Sequence, residues 1–385
     1  MTSSLTTRPD GCGAVSARGG RVAVVVSGFP RLSETFAVNE LLALQRAGRL
    51  ACVLATKPGD HGTVVSGCDQ PGWGLLEPLT TVLSGDDAEQ AEQAAEIVRA
   101  TGGVDLVHGY FAHRPAAIAE LTAATLGVPF SFSVHALDVR KVEPVELQRR
   151  AANARTVITC NADALATLRD LDIDAQLVPH GVDLDRFHPP ASHREPGPSL
   201  RLLSVGRLVE KKGFRFLIEA MAAVDDRVRL EIVGDGPERS HLEQMIDDLE
   251  LGDRVALVGR RSHDELPQLY RDADVVVVPS VIDSTGDRDG LPNVVLEALA
   301  SGRPIVASDV AAIAVAVRDG AGDDANGLLV EPANVAELGR ALIELSERPA
   351  VLRQLGRSAR RTAVERYDVL ECSTRFCRAL EAQHV

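Results

Sequence analysis

The sequence predicts an α/β protein made of two tandem, doubly wound parallel-sheet domains. The chain has 385 residues, too many for one ordinary hydrophobic core. Short Val-rich runs alternate with amphipathic stretches, which is typical of a parallel sheet covered by helices on both faces. A polar segment with four prolines, FHPPASHREPGPS (187–199), interrupts the alternation and predicts an interdomain linker.

The first domain is predicted to span residues 21–193. The strand-like runs are RVAVVV (21–26), RLACVLAT (49–56), VDLVHGY (104–110), PFSFSVHA (129–136), RTVITC (155–160) and AQLVPH (175–180). Helix-like segments such as SETFAVNELLALQRAG lie between them. Residues 1–20 have no apolar stretch of the kind found in signal peptides, and we expect them to form a disordered tail.

The second domain, residues 199–365, repeats the pattern. Its predicted strands are LRLLSVG (200–206), VRLEIVG (228–234), RVALVG (254–259), ADVVVVPS (273–280), RPIVAS (303–308) and NGLLVEP (326–332). Because ligands of open parallel sheets bind beyond the carboxyl ends of the strands, the residues that follow these runs are the candidates for a functional site.

Charge and cysteine content exclude several classes of protein. The net charge is −14, which argues against a nucleic-acid binder. The six cysteines show no paired metal-binding spacing and indicate reduced thiols of a cytoplasmic protein. No apolar run is long enough to cross a bilayer, so we expect no membrane insertion, and we expect a monomer or a homodimer. Residues 1–193 hold 16 Lys and Arg against 22 Asp and Glu, a net charge of −6.

The segment SVGRLVEKKGF (204–214) places several charges in one turn between a strand and a helix. Arg207 and Lys212 lie close to a predicted helix start at Gly213. Two cations beside a helix N-terminus favour a diphosphate. The alternative is a solvated turn in which the cations pair with Glu210.

The segment DRDGLPNVVLEALASG (287–302) begins another predicted helix, with Pro292 in its first turn. Glu297 lies inside an otherwise apolar stretch, and an unpaired buried carboxylate is unfavourable. The hydroxyl groups of a nucleotide ribose would be suitable partners. The alternative is a core glutamate bonded to backbone.

Together, VGRLVEKKG, VGDGPERSHLE and DGLPNVVLEALASGRPIVAS resemble the nucleotide-sugar half of retaining glycosyltransferases of the GT-B fold, family-4 type (glycosyltransferase group 1). FPRLSETFAVNEL, SFSVHALD and VPHGVDLDRF resemble the polysaccharide and natural-product branch of that family. The resemblance runs from about Val22 to the C-terminus. It implies a central cleft between an acceptor-binding first domain, joined by a C-terminal helix at about 366–385, and a donor-binding second domain.

The resemblance also implies roles for residues of the second domain. Arg207 and Lys212 match the pair that binds the donor diphosphate and stabilises the leaving group. Glu297 matches the ribose-binding carboxylate. Asp289 stands where the family normally has a sugar-contacting Glu, which leaves the identity of the donor sugar open. Further donor contacts are implied for the sugar at Gly290, for the diphosphate at Leu291, Pro292 and Asn293, and for the base at Arg260.

In the first domain, His135 matches an active-site histidine that lies near the transferred sugar in many relatives. The alternative is a structural hydrogen bond at a strand end. Asp138 is positioned to orient His135, and His108 is a second strand-end candidate. Further predicted contacts are Gly28 with the donor diphosphate and Arg31, Glu34, His108 and Asp138 with the acceptor. The alternative for the first loop is that Ser33 caps a helix and Glu34 is a first-turn acid.

The expected activity is transfer, with retention, of a hexose or amino-hexose from a nucleotide sugar, most simply a UDP-sugar, to a hydroxyl of a small acceptor. No metal or other cofactor is expected. The acidic first domain favours a soluble, cationic acceptor such as an aminocyclitol or aminoglycoside intermediate. The alternatives are exopolysaccharide synthesis on a lipid-linked sugar, a UDP-sugar epimerase, and a nucleotide-sugar binder without catalysis.

Overall fold

A computed structural model describes residues 20–31, 34–59, 73–190, 199–320 and 322–381. Residues 1–19 of the predicted N-terminal tail lie outside these ranges. Ser33 and most of the predicted linker also lie outside them. Within them the chain forms two parallel β-sheets, each flanked by helices on both faces, so the predicted fold class is confirmed.

The first sheet has seven strands in the order β3-β2-β1-β4-β5-β6-β7, and every pair is parallel. Six strands correspond to the six predicted runs, and β3 was not predicted. The strands are β1 Val22–Phe29, β2 Leu50–Pro58, β3 Thr80–Val82, β4 Leu106–Gly109, β5 Phe130–Val134, β6 Val157–Thr159 and β7 Gln176–Leu177. The helices are α1 Thr35–Arg46, α2 Trp73–Leu76, α3 Asp87–Ala100, α4 Arg114–Leu126, α5 Asp138–Lys141, α6 Pro144–Asn153 and α7 Ala162–Asp170.

The second sheet has six parallel strands in the order β10-β9-β8-β11-β12-β13, all of them predicted. They are β8 Arg201–Val205, β9 Arg229–Val233, β10 Val255–Gly259, β11 Val275–Val278, β12 Ile305–Ser308 and β13 Gly327–Val330. The remaining helices are α8 Phe214–Met221, α9 Arg239–Asp248, α10 Leu266–Asp272, α11 Asn293–Ala300, α12 Ile313–Ala316, α13 Val335–Glu347, α14 Pro349–Arg366 and α15 Val369–Ala379.

Aliphatic side chains build both cores. All eight residues of β1 are buried, since helices cover both faces of the sheet. In both sheets the strand order reverses direction beside the first strand of the domain, at β1/β4 and β8/β11. Such reversal points open a ligand crevice at the carboxyl ends of the strands.

The last helix, α15, returns to the first domain. Phe376 is buried in the first domain's core, and the guanidinium of Arg49 donates to the carbonyl of Cys377 at 2.9 Å. Burial of this apolar face anchors α15 beside α1. Among the described helices, none has both the length and the apolarity needed to cross a bilayer.

Candidate active site

The turn after β8 presents cations at the carboxyl edge of the second sheet. Arg207 is exposed, and its guanidinium has no hydrogen-bond or ion-pair partner among the described residues. Lys212 ends a single 3₁₀ turn, Glu210–Lys212, and Gly213 follows in the left-handed region with φ of 64°. A side chain at Gly213 would collide with the backbone of Pro279, so glycine is required where α8 begins.

The lysines of this turn pair with the segment before α11. Lys212 Nζ lies 2.7 Å from Asp289 Oδ2, and Lys211 Nζ lies 2.9 Å from Asp287 Oδ2. Glu210 instead accepts a hydrogen bond from the hydroxyl of Ser284 at 2.7 Å. The alternative in which the cations pair with Glu210 is therefore wrong, and the two charged segments form one site.

Asp289 is the buried anion of that site, with only 8% of its surface exposed. Its Oδ2 accepts from Ser280 Oγ at 2.8 Å as well as from Lys212. Burial alone would raise the pKa of Asp289, but the ammonium groups of Lys212 and Lys211 outweigh it and lower the pKa below its usual value. Oδ1 lies 3.7 Å from Lys211 Nζ, too far for a hydrogen bond. It keeps acceptor capacity for a ligand hydroxyl.

Glu297 is 7% exposed and lies on the second turn of α11. Its carboxylate accepts a 2.7 Å hydrogen bond from the Tyr270 hydroxyl. Its partner is therefore a side chain, whereas the alternative interpretation expected a backbone group. Burial raises the pKa of Glu297, although the Tyr270 hydrogen bond opposes the shift. Glu297 also lines a pocket between the two domains.

The two domains meet where α11 begins. The helix starts at Asn293 with Pro292 at the N-cap, so Pro292 precedes the first turn in which it was predicted. Asn293 Nδ2 donates to Thr35 Oγ1, the first residue of α1, at 3.0 Å. A Cβ at Gly290 would lie 2.8 Å from the Cβ of Ala136, so glycine permits the close approach of the domains. Leu291, between them, is half-buried.

Between these contacts lies a small pocket that opens to solvent. The first domain contributes Thr35 and Asn39, the second contributes Asn293 and Glu297, and the segment that follows β7 contributes Arg186. The N-termini of α1 and α11 both meet this pocket, which favours an anionic ligand. Arg260 is exposed directly after β10, at the same sheet edge as the turn after β8.

His135 follows β5, and 13% of its side chain is exposed. Its backbone N–H donates to Asp138 Oδ2 at 2.9 Å, and the N–H of Ala112 donates to the same oxygen at 3.2 Å. Asp138 is only 2% exposed. The prediction that Asp138 contacts an acceptor is therefore wrong. Its carboxylate is turned inward, where it fixes the loop that carries His135.

His108 is completely buried in β4. Its ring nitrogens lie 2.8 Å from Ser131 Oγ and 3.0 Å from Ser133 Oγ. Burial, with a smaller contribution from His135, lowers the pKa of His108 to about 3. The predicted acceptor contact is corrected here too: His108 is a neutral core residue that hydrogen-bonds the neighbouring strand.

The first strand–helix loop differs in part from the prediction. Gly28 lies inside β1, where a Cβ would be 2.7 Å from the carbonyl oxygen of Pro58. Close packing of β1 against β2 therefore requires this glycine, and its contact with a donor diphosphate stays a prediction. Arg31 and Glu34 form a 3.2 Å ion pair, and Glu34 takes the N-cap position of α1 instead of its first turn.

A cluster of three side chains was missed by sequence reasoning. His135, Cys160 and His180 each follow a strand, namely β5, β6 and β7, and their ligand-type atoms lie within 4.8 Å of one another. Burial alone would raise the pKa of Cys160, but His180 and His135 outweigh it and lower the pKa to about 7. The endings of three predicted strands, VHA, ITC and VPH, carried the signal.

The fold and site define a two-domain glycosyltransferase, and comparison with known proteins agrees. The family model described as "Glycosyltransferase Family 4" matches residues 12–186, and "Glycosyl transferases group 1" matches residues 199–348. The D-inositol 3-phosphate glycosyltransferase of Salinispora tropica is 30% identical over 90% of this chain and 79% of that protein. The chain therefore belongs to the family-4, group 1 glycosyltransferases.

Other relatives match over shorter stretches. The 2-deoxystreptamine glucosyltransferase of Streptomyces kanamyceticus is 27% identical over 60% of this chain and 64% of that protein. The amylovoran biosynthesis glycosyltransferase AmsK of Erwinia amylovora is 32% identical over 38% of this chain and 36% of that protein. The matched regions thus cover less than two thirds of either relative.

A solved structure supports the GT-B fold. The crystal structure of Anabaena HepE in complex with UDP has a TM-score of 0.76, with 19% sequence identity, and covers 93% of this chain and 99% of that one.

Proposed function

We propose that the chain transfers a hexose or amino-hexose from a UDP-sugar to a hydroxyl of a small cyclitol-type acceptor, with retention at the anomeric carbon. The observation that carries the donor half is the 2.7 Å pair between Lys212 and Asp289, which joins the turn after β8 to the segment before α11. Arg207 lies on that turn and Glu297 on that helix. This arrangement offers cations for a diphosphate and carboxylates for sugar and ribose hydroxyls.

The leaving diphosphate gains negative charge as the sugar departs. The guanidinium of Arg207, which has no partner among the described residues, is available to bind it. An ammonium group has three donors, and the ion pair with Asp289 uses one donor of Lys212. The remaining donors can stabilise the leaving group. Asp289 Oδ1 would then accept from a sugar hydroxyl, and Glu297 would hold the ribose. Neither step calls for a metal ion.

His135 is proposed to contact the transferred sugar from the opposite domain. The residue after it, Ala136, lies against Gly290, which places the two loops next to each other across the cleft. Arg31 and Glu34 lie in the first domain just before α1, and we propose that they contact the acceptor. In the second domain, Arg260 is proposed to contact the base.

The acceptor proposal draws on charge and on two relatives. Residues 1–193 carry a net charge of −6, which favours a cationic, water-soluble acceptor over an anionic membrane surface. Two relatives are named for transfer to cyclitols, 2-deoxystreptamine and D-inositol 3-phosphate. We therefore propose a 2-deoxystreptamine-like aminocyclitol as the first candidate acceptor. We also propose a cytoplasmic location. The match to AmsK favours polysaccharide synthesis on a lipid-linked sugar as the second candidate.

A two-stage screen tests this proposal. Thermal shift with UDP-, GDP- and TDP-sugars selects the donor, and transfer is then measured with 2-deoxystreptamine, inositol phosphate or membrane extracts as acceptor. We expect stabilisation by a UDP-sugar and transfer to the aminocyclitol, with an acceptor KM that rises between low and high salt. Transfer only to lipid-linked sugar in membranes would replace the aminocyclitol proposal by the polysaccharide one.

A further inference from the structure

We propose that His135, Cys160 and His180 form a binding site for a transition-metal ion of the Zn²⁺ type, and that the bound ion blocks sugar transfer. The inhibitory part rests on the proposed function, whereas metal binding does not. The three side chains come from the ends of three adjacent strands, β5, β6 and β7, which the parallel sheet holds side by side.

The distances suit a tetrahedral ion after a small adjustment. The three ligand-type atoms lie within 4.8 Å of one another. Zn–N bonds of about 2.1 Å and Zn–S bonds of about 2.3 Å place ligand atoms about 3.5 Å apart in a tetrahedral site. In the proposed complex, side-chain rotations would therefore have to bring the atoms about 1 Å closer.

The nitrogens of the two imidazoles are available. In the described part of the chain, the buried atoms His180 Nε2 and His135 Nδ1 make no hydrogen bond of ordinary geometry, although His180 interacts with the Cys160 thiol and His135 Nδ1 lies 3.6 Å from Asp138 Oδ2. Buried polar atoms normally have closer partners, so a ligand shared by the cluster would satisfy it better than these weak contacts do. Imidazole nitrogen and thiolate sulfur are the ligands that Zn²⁺ prefers.

A second layer of residues orients the cluster as in known zinc sites. His180 Nδ1 lies 2.8 Å from Glu40 Oε1, and Tyr110 donates its hydroxyl hydrogen to the other oxygen of Glu40. A carboxylate behind a histidine fixes the ring and makes its other nitrogen a better ligand. Asn161 Nδ2 lies 3.5 Å from Cys160 Sγ, where it supports the thiolate.

The cluster is reachable from the cleft. Side-chain exposure is 13% for His135 and 12% for His180, and Ala136 and Asn161, which follow two of the ligands, face Gly290 of the second domain. Three protein ligands leave the fourth position for water. Binding would replace the thiol proton, which passes to solvent, with a Zn–S bond. With its ring held by the ion, His135 can no longer contact a donor sugar.

Metal retention tests the site without any sugar. The chain is treated with EDTA, loaded with Zn²⁺ and passed through gel filtration, and a Co²⁺-loaded sample is examined for the thiolate-to-cobalt absorption band. We expect one ion per chain in the wild type and in the matched controls Cys377→Ser and His241→Asn. Cys160→Ser and His180→Asn should bind at least 10-fold more weakly, and Glu40→Gln about 10–100-fold more weakly.

Wild-type protein without bound Zn²⁺, or a cobalt complex without the thiolate band, would overturn the proposal even if a variant failed to fold. Equal affinity in folded Cys160→Ser would do the same. For the inhibitory part, stoichiometric Zn²⁺ should abolish transfer and EDTA should restore it. Full transfer by the Zn²⁺-loaded protein would overturn the inhibitory part of the proposal and leave metal binding intact. If the chain proves to have no transferase activity, the metal-retention and cobalt measurements still decide whether the metal site exists.

Discussion

The ion pair between Lys212 and Asp289 predicts that one cation of the turn stabilises the fold while its neighbour does not. In Lys212→Ala the buried carboxylate of Asp289 keeps the Ser280 hydroxyl and a lysine nitrogen 3.7 Å away, but it loses its 2.7 Å partner. Arg207→Ala is the matched control, because Arg207 is an exposed cation of the same turn whose side chain has no partner in the described chain.

The expected magnitude follows from the geometry. Two unit charges 2.7 Å apart attract by about 6 kcal/mol at an effective dielectric constant of about 20. Desolvation offsets part of this, and breaking one side of a buried pair usually destabilises by about 3–5 kcal/mol. The Lys212 side chain is 16% exposed and Lys211 remains nearby, so we expect about 3 kcal/mol, near the lower end. This corresponds to a fall in Tm of about 6–12 °C for a domain of this size.

Urea and thermal denaturation followed by far-UV circular dichroism measure the effect. Arg207→Ala should unfold within about 0.5 kcal/mol of the wild type. Adding Asp289→Asn to Lys212→Ala should restore most of the loss, because the unpaired charge is then gone. Equal midpoints for Lys212→Ala and Arg207→Ala would refute the reasoning. Both variants should still weaken donor binding, each by about 1.5–3 kcal/mol.

Three further predictions concern single residues. Glu297→Gln should weaken UDP binding in calorimetry while Tm changes little, since the amide oxygen can still accept from Tyr270; a lower Tm with unchanged UDP affinity would make Glu297 a core residue only. His135→Ala should abolish transfer and keep nucleotide affinity, and near-normal transfer would return it to a structural role. His108 has a pKa near 3 when folded, so its stabilisation is present above pH 6.5 and is lost as the pH falls below that value. At pH 4.5 the loss reaches about 2–3 kcal/mol, and His108→Gln should reduce it in urea titrations; equal pH dependence in both proteins would argue against this account.

The fold could be predicted because its cause is local. Fully buried parallel strands require continuous apolar runs, and twelve such runs stand out between amphipathic helices. Strand β3 escaped because it has three residues and lies at the sheet edge, with Thr81 and Val82 exposed, so no apolar run marks it. The burial of His108 could not be predicted for a different reason. Two serines of the next strand satisfy its ring, and strand register cannot be read from a single segment.

The site could be predicted only in part, because its chemistry depends on pairs distant in sequence. The turn that carries Lys212 and the segment that carries Asp289 were both recognised, but their ion pair joins residues 77 positions apart. Cys160 was interpreted as an incidental thiol, since no metal-type spacing surrounds it. Only the order of β5, β6 and β7 in the sheet brings it beside His135 and His180.

Product analysis with one labelled donor tests the central claim most directly. The UDP-sugar that gives the largest thermal shift is labelled at the anomeric carbon and incubated with the protein, with and without 2-deoxystreptamine. The account predicts that UDP is released at a high rate only when the acceptor is present, and that the label appears in a product with an α-linked sugar. Conversion of the donor to another UDP-sugar without acceptor, or tight UDP-sugar binding with no turnover under any acceptor condition, would contradict it.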